Sequence, residues 1–198
     1  MIRIAFVLSL LLALLIQPVA AQDLQKGLTA YKAGDYTTAL NEWTPLAEAG
    51  DAYAQHYLGH SYYFALGVPR DYSEASKWFK LAANQGIADA QFYLAVLYVN
   101  GWGVPQDFTE TAKWYRLAAK QGQSTAQQSL GAMYQFGKGV LQDNVMAHMW
   151  YNISSANGDK DAATMRDKLA AMMTSKGIAK AQSMARECMS TNYQKCGY

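Results

Sequence analysis

The side chains of this sequence best placed to do chemistry are His56 and His60. They stand four residues apart, and on a helix that spacing sets two imidazoles on one face, where they can share a metal ion. A metal needs further ligands, and the only other histidine, His148, is distant in sequence. Contact with a bound partner, or plain solvation, is the competing account of the pair. Nucleophilic catalysis has less to build on. The chain contains no Ser-x-x-Lys, Gly-x-Ser-x-Gly, His-Glu-x-x-His or Cys-x-x-Cys pattern and no Walker loop. Gly101-Trp102-Gly103 and Gly137-Lys138-Gly139 fall short of a nucleotide fingerprint, and their recurrence argues for turns. Cys188 and Cys196, the only cysteines, have seven residues between them, enough for a small disulfide loop in an oxidising compartment. Two free thiols at a frayed end are the alternative. The expectation is therefore no catalytic residue, no metal site and no cofactor.

Composition narrows the class. The chain has 198 residues, 51% hydrophobic and 16% charged, with 17 basic against 15 acidic side chains and a net charge of +2. That is globular rather than disordered. A near-neutral balance gives no electrostatic footprint for nucleic acid. Residues 1–21 read as a signal peptide, with Arg3 before an apolar run over 4–16 and small residues at Val19-Ala20-Ala21. As a helix, the 13-residue run spans about 20 Å, short of the ~30 Å hydrocarbon core of a bilayer. A retained signal anchor is the alternative. Export and the cysteines agree with each other.

The elements that would position these residues announce themselves by repetition. Gly50, Gly86, Gly122 and Gly158 stand 36 residues apart. Leu58, Leu94 and Leu130 keep the same period, as do Trp78, Trp114 and Trp150, each followed by an aromatic residue. Self-similarity at this period signals a solenoid. Within residues 87–122, Ala90, Leu94 and Tyr98 share one face of a first helix, and Gly101 to Pro105 break it. Asp107 is the expected N-cap of a second helix, with Glu110 completing a capping box, and Gly122 ends it. Asp71 and Glu74 repeat this arrangement one unit earlier. The tryptophans, by their period, are expected in the core. Ala54, Ala90 and Ala126, with Gly59 and Gly131, allow the helices to approach closely.

The organisation predicted is a short opening unit at 22–50, full units at 51–86, 87–122 and 123–158, a helical cap at 159–187 and a disulfide-closed tail at 188–198. About ten helices and no strands are expected. The fold class is all-α, stacked helix-turn-helix repeats, because a single hairpin cannot bury its own apolar face.

The recurring pattern Ala-Gln-x-x-Leu, then Gly-x-Gly-Val-Pro-x-Asp, then Ala-x-x-Trp-Tyr-x-x-Ala-Ala resembles the Sel-one-like repeat (SLR) family, a branch of the tetratricopeptide superfamily. Ala90 to Leu94 and Gly101 to Asp107 carry the match most fully. The opening unit, with Gly34-Asp35-Tyr36, is more similar to an ordinary tetratricopeptide repeat. Departures occur at Ala65, Leu141 and Ser154-Ser155. The resemblance implies a right-handed α-solenoid whose first helices line a concave surface. On that surface it places Tyr53, His56, His60, Tyr63, Phe92, Val96, Val99 and Asn100 as groove candidates. Some of these aromatics could instead pack between adjacent first helices, and Trp102 in its loop could either make contacts or pack against a neighbouring repeat. The function implied is an exported scaffold, periplasmic or secreted, binding a protein or peptide partner in the envelope or outside the cell. The alternative is a cell-envelope hydrolase acting on β-lactam or cell-wall material, as some cysteine-rich SLR members suggest. Those carry paired cysteines in each repeat, which this chain lacks.

Overall fold

The computed structural model describes residues 23–197, and the segment read as a signal peptide lies outside them. The described residues form ten helices and no strand. They are α1 (Leu24–Lys32), α2 (Tyr36–Glu48), α3 (Ala52–Phe64), α4 (Tyr72–Asn84), α5 (Ala88–Asn100), α6 (Phe108–Ala119), α7 (Ser124–Phe136), α8 (Asn144–Ala156), α9 (Lys160–Ala170) and α10 (Ser175–Ser190). Each odd-numbered helix through α7 pairs with the next to make a hairpin, and each hairpin packs on the following one. The chain is the all-α solenoid its period calls for. No described helix is long and apolar enough to cross a membrane.

The helix starts follow the sequence signals with one correction. Asp71 accepts from the amides of Ser73 and Glu74 at 2.8 and 3.0 Å, and Asp107 does the same for Thr109 and Glu110. The reciprocal half of the expected capping box does not form. The amides of Asp71 and Asp107 already donate to the carbonyls of Tyr62 and Tyr98 on the preceding helix, both at 3.1 Å. With that donor taken, Glu74 pairs with Lys77, and Glu110 pairs with Lys113 and accepts from the Trp114 indole at 3.0 Å. The loop glycines answer a different need. A Cβ on Gly103, at φ +67°, would sit 2.3 Å from the Tyr72 carbonyl oxygen, so the loop of one unit can lie against the second helix of the unit before only without a side chain.

The core is organised around a column one place beyond the tryptophans. Trp43, Phe79 and Tyr151 are fully buried and Tyr115 nearly so. Facing them on the first helices stand Gly27, Gly59, Ala95 and Gly131. A Cβ on Gly59 would meet the Phe79 ring at 2.7 Å, and one on Gly131 the Tyr151 ring at 2.8 Å. Trp43, Phe79 and Tyr151 thus occupy the space their facing glycines leave. The tryptophan column itself is graded: Trp150 is 0% exposed, Trp114 5%, and Trp78 only half-buried.

A ladder of carboxamides ties each unit to the next. The Nε2 groups of Gln55, Gln91 and Gln127 donate to the carbonyls of Ala47, Ala83 and Ala119 at 3.0, 3.1 and 3.0 Å. Each glutamine oxygen then accepts from the next turn's Gln85, Gln121 or Asn157 at 2.8–2.9 Å. Gln91→Leu keeps the bulk but removes two hydrogen bonds, the one to the Ala83 carbonyl, which keeps the Gly86 amide, and the one from the Gln121 carboxamide. We expect a loss of about 1–3 kcal/mol in urea unfolding, whereas Gln121→Leu, at an exposed position, should cost less. Equal losses would show that the ladder does not hold the stack.

The C-terminal end departs from the repeat. Both α9 and α10 pack on α8. Cys188 and Cys196 form a disulfide, and both are buried. The tail between them folds back so that the Tyr193 hydroxyl meets the Asn157 carboxamide, accepting from Nδ2 at 2.9 Å.

Candidate functional site

The first-helix layer carries the residues singled out from sequence. Spacing of three and four puts Tyr53, His56, His60 and Tyr63 along one side of α3, and Phe92, Val96 and Val99 along the matching side of α5. Their exposure differs. Tyr53 is 55% exposed and Asn100 is also exposed, its carboxamide donating to the Val96 carbonyl at 2.8 Å. His60, Tyr63, Phe92, Val96 and Val99 are half-buried, and His56 is buried at 8%.

Three of these converge on Tyr93. Its ring lies 6.4, 5.7 and 5.4 Å from those of His56, His60 and Tyr63 and stacks on Phe79 at 5.2 Å. Tyr31 joins from α1, its ring 6.0 Å from His60 and its hydroxyl 3.5 Å from His60 Nδ1. Phe64 closes the outer side, with its ring 4.4 Å from His60 and 5.8 Å from Tyr93. The aromatic residues therefore both pack between adjacent first helices and present their edges outward. Trp102, 39% exposed, packs back onto the preceding unit by stacking on Tyr72 at 5.0 Å.

Burial sets the charge of this cluster. It pushes the His56 imidazole down to about 4, with the neighbouring His60 adding to the shift and the Asp89 carboxylate opposing it. Burial lowers His60 in the same way, again against Asp89, and raises the Tyr63 and Tyr93 phenols. Near neutrality the His56 imidazole is uncharged, and the carboxylate of Asp89 acts on both imidazoles and on Tyr93, whereas Arg70 is the charge acting on Tyr63. The buried Nδ1 of His56 has no hydrogen-bond partner among the described residues. Among the described residues neither imidazole is hydrogen-bonded to a serine or a carboxylate, and no group of three His, Cys, Asp or Glu is placed to hold a metal.

Next to this cluster the layer opens into an apolar cavity of about 340 Å³, lined by Val99, Tyr115, Ser129, Ala132, Met133, Phe136 and Lys138. Phe136 stands at its edge, 65% exposed. Sequence reasoning missed Phe64 and Phe136, although both stand in the 36-residue column of Asn100. It also missed Tyr31, because the opening loop is shorter: Gly27 and Gly59 are equivalent at a separation of 32, where Asp35 and Asp71 keep 36.

Comparison with known proteins agrees with this geometry. The Sel1 repeat matches three times, at residues 52–87, 88–123 and 124–159. A protective antigen of uropathogenic Escherichia coli displaying an SLR fold superposes with a TM-score of 0.74 at 30% identity, over 87% of this chain and 42% of that one. This chain thus spans less than half of that protein's length. A Sel1 repeat protein from Oxalobacter formigenes gives a TM-score of 0.70 at 27% identity, covering 86% of this chain and 78% of that one. The cysteine rich protein B of Helicobacter pylori shares the fold at 17% identity and a TM-score of 0.53, over 69% of this chain and 98% of that one. No curated protein matches the chain. With three matched repeats covering more than half its length, the chain belongs to the Sel1 repeat family, whose stacked hairpins typically serve as scaffolds for protein–protein interaction.

Proposed function

We infer that the protein is an exported scaffold that docks a segment of another protein along its first-helix face, the concave side of the solenoid. One observation carries this: a continuous strip of partly exposed aromatic and apolar side chains, from Tyr53 and Phe64 through Phe92 to Phe136, beside an open apolar cavity. Large aromatics that keep accessible surface are the residues on which binding energy concentrates. Tyr53, Tyr63, Val96, Val99 and Asn100 belong to the same strip, while His56 supports it from beneath. Export is supported by the apolar leader in the sequence and by a buried disulfide, which persists in an oxidising compartment such as the periplasm or the extracellular space.

The hydrolase alternative finds no nucleophile at these histidines. His60 meets a tyrosine hydroxyl and His56 meets no acceptor at Nδ1.

A photo-crosslinking side chain at position 136, introduced in the natural host, should trap one partner in the envelope fraction. The same group at exposed Thr164 on α9 should trap none. Phe64→Arg should then weaken binding of the captured partner by about tenfold or more while leaving the melting temperature unchanged. Unaltered binding by Phe64→Arg, or capture at 164 instead of 136, would move the site off this face. Nitrocefin turnover by the purified protein would revive the hydrolase.

A further inference from the structure

The opposite layer holds a second opening. Between α4 and α6 lies a cavity of about 570 Å³, floored by Gly86, Gln91 and Tyr98 and walled by Lys80, Glu110, Lys113, Trp114 and Leu117. Its walls come from the second helices α4 and α6 and its floor partly from α5, and it shares no lining residue with the aromatic strip or with the 340 Å³ cavity.

The internal repeat shows what such a cavity takes. Advancing each residue by 36 gives the corresponding place between α6 and α8: Gly122, Gln127 and Tyr134 below, Met146, Met149, Trp150 and Ile153 above. That place is filled by the chain's own tail. The Tyr193 ring lies against Gly122, 3.4 Å from where a Cβ would stand, and its hydroxyl meets Asn157, which is bonded to Gln127. Gly197 closes over Met146. Met149, Trp150 and Ile153, on the helix against which α9 and α10 also pack, are all 0% exposed. One repeat earlier no described residue lies within 4 Å of where a Cβ on Gly86 would stand, and Leu117 is 40% exposed. Gln121 takes the part of Asn157, bonded to Gln91 at 2.9 Å and otherwise turned to solvent.

The two places hold their charges differently. Met146 and Met149 correspond to Glu110 and Lys113, which pair with each other, and Lys80 corresponds to Arg116, which donates to the Tyr134 hydroxyl at 3.1 Å, whereas Lys80 is in no ion pair among the described residues. The open cavity therefore has the floor of a tyrosine site and one surplus positive charge at its rim.

We propose that this cavity is a docking site for a partner-protein segment carrying a tyrosine beside an acidic residue. The phenol ring covers Gly86 against Trp114, its hydroxyl bonds the Gln121 carboxamide as Tyr193 bonds Asn157, and the carboxylate meets Lys80. The protein so becomes two-faced, with a second partner site on the side away from the aromatic strip.

The test uses the intact mature protein, with N-acetyl-Asp-Tyr-amide as probe, followed by amide and side-chain NMR. Saturable shifts are expected at Gly86, the Gln121 carboxamide and the Trp114 indole, with Kd near 1 mM or about that order for so few contacts. The Asp-Phe and Lys-Tyr analogues should bind several-fold more weakly. Leu117→Glu should abolish the shifts, and Lys80→Glu should weaken binding of Asp-Tyr while leaving Lys-Tyr unaffected or improved. The assignment is overturned if Asp-Phe binds as well as Asp-Tyr, if the shifts fall at Gly122 or on the first-helix face, or if neither variant matters. It is overturned equally if the protein forms a dimer that Leu117→Glu disperses, since the occupant is then a second copy. Loss of binding here leaves the result of crosslinking at position 136 untouched, so the two sites stand or fall separately.

Discussion

Phe79→Ala is expected to destabilise the stack by about 3–5 kcal/mol, and Trp78→Ala, one residue earlier, by clearly less. The order is the reverse of what side-chain size suggests. The Phe79 ring is fully buried, it fills the notch at Gly59, and it stacks on Tyr93 at 5.2 Å. Removing it empties a site that Gly59 has no side chain to refill, and it withdraws the floor from the cluster of His56, Tyr63 and Tyr93. Trp78 is only half-buried, so part of its ring returns to water that already touches it. Gly59→Ala should also destabilise, by about 1–3 kcal/mol, because its Cβ would overlap the Phe79 ring. Urea unfolding followed by circular dichroism ranks the three. If Trp78→Ala matches Phe79→Ala, the buried column has been assigned one residue off.

That one-residue distinction marks how far the sequence could be read. The 36-residue period fixes the hairpins, their order and the turns, because every unit must present the same faces to its neighbours. It also shows that two adjacent columns, tryptophan and its aromatic follower, are constrained. It cannot show how deeply each is buried, since both recur equally: Trp150 and Tyr151 are both fully buried, whereas Trp78 is half-buried beside a fully buried Phe79. The glycines decide it. Gly27, Gly59 and Gly131 face Trp43, Phe79 and Tyr151, and the first of these pairs was invisible while the short opening loop kept α1 out of register. The proposed docking strip is limited in the same way. Helical spacing groups Tyr53, His60, Tyr63, Phe92, Val96 and Val99, the family resemblance is what assigns them to a groove, and residues such as Phe136 emerge only from a register of all units. The capping box failed on physics the local pattern does not contain. A carbonyl from the preceding helix had already taken the donor that Glu74 and Glu110 would have used. The tail shows the same limit, because seven residues between paired cysteines say nothing of where the loop lands.

Stability should fall as pH drops from about 6.5 toward 4, a window set by histidine rather than by carboxylates. In the unfolded chain a histidine titrates near its ordinary 6.5, whereas burial holds His56 down at about 4. Between those values the unfolded state carries a proton that the folded state refuses, so acid draws the equilibrium toward unfolding. Above 6.5 both states are neutral and His56 contributes no slope; below 4 both are protonated and its effect has been spent. Over the window His56 alone is expected to remove about 3 kcal/mol. His60 and His148 are shifted in the same direction by burial, and Arg166 adds to the shift at His148, so both steepen the fall. The Asp89 carboxylate favours the charged form of His56 and His60 and moderates the loss without reversing it. The carboxylates whose folded values are depressed, Asp35 and Glu42, act in the same sense but begin to lose their contribution only near and below their ordinary values of 3.8 and 4.5. The two groups of residues therefore separate on the pH axis. His56→Gln supplies the residue that Gln128 places in the same column, and it has no proton to take up. Its unfolding free energy, measured in urea at pH 7.5 and at pH 5, should show a markedly smaller decrease than the parent protein. An undiminished decrease would mean that His56 reaches water in the folded state, and the packed floor of the aromatic strip would have to be opened accordingly.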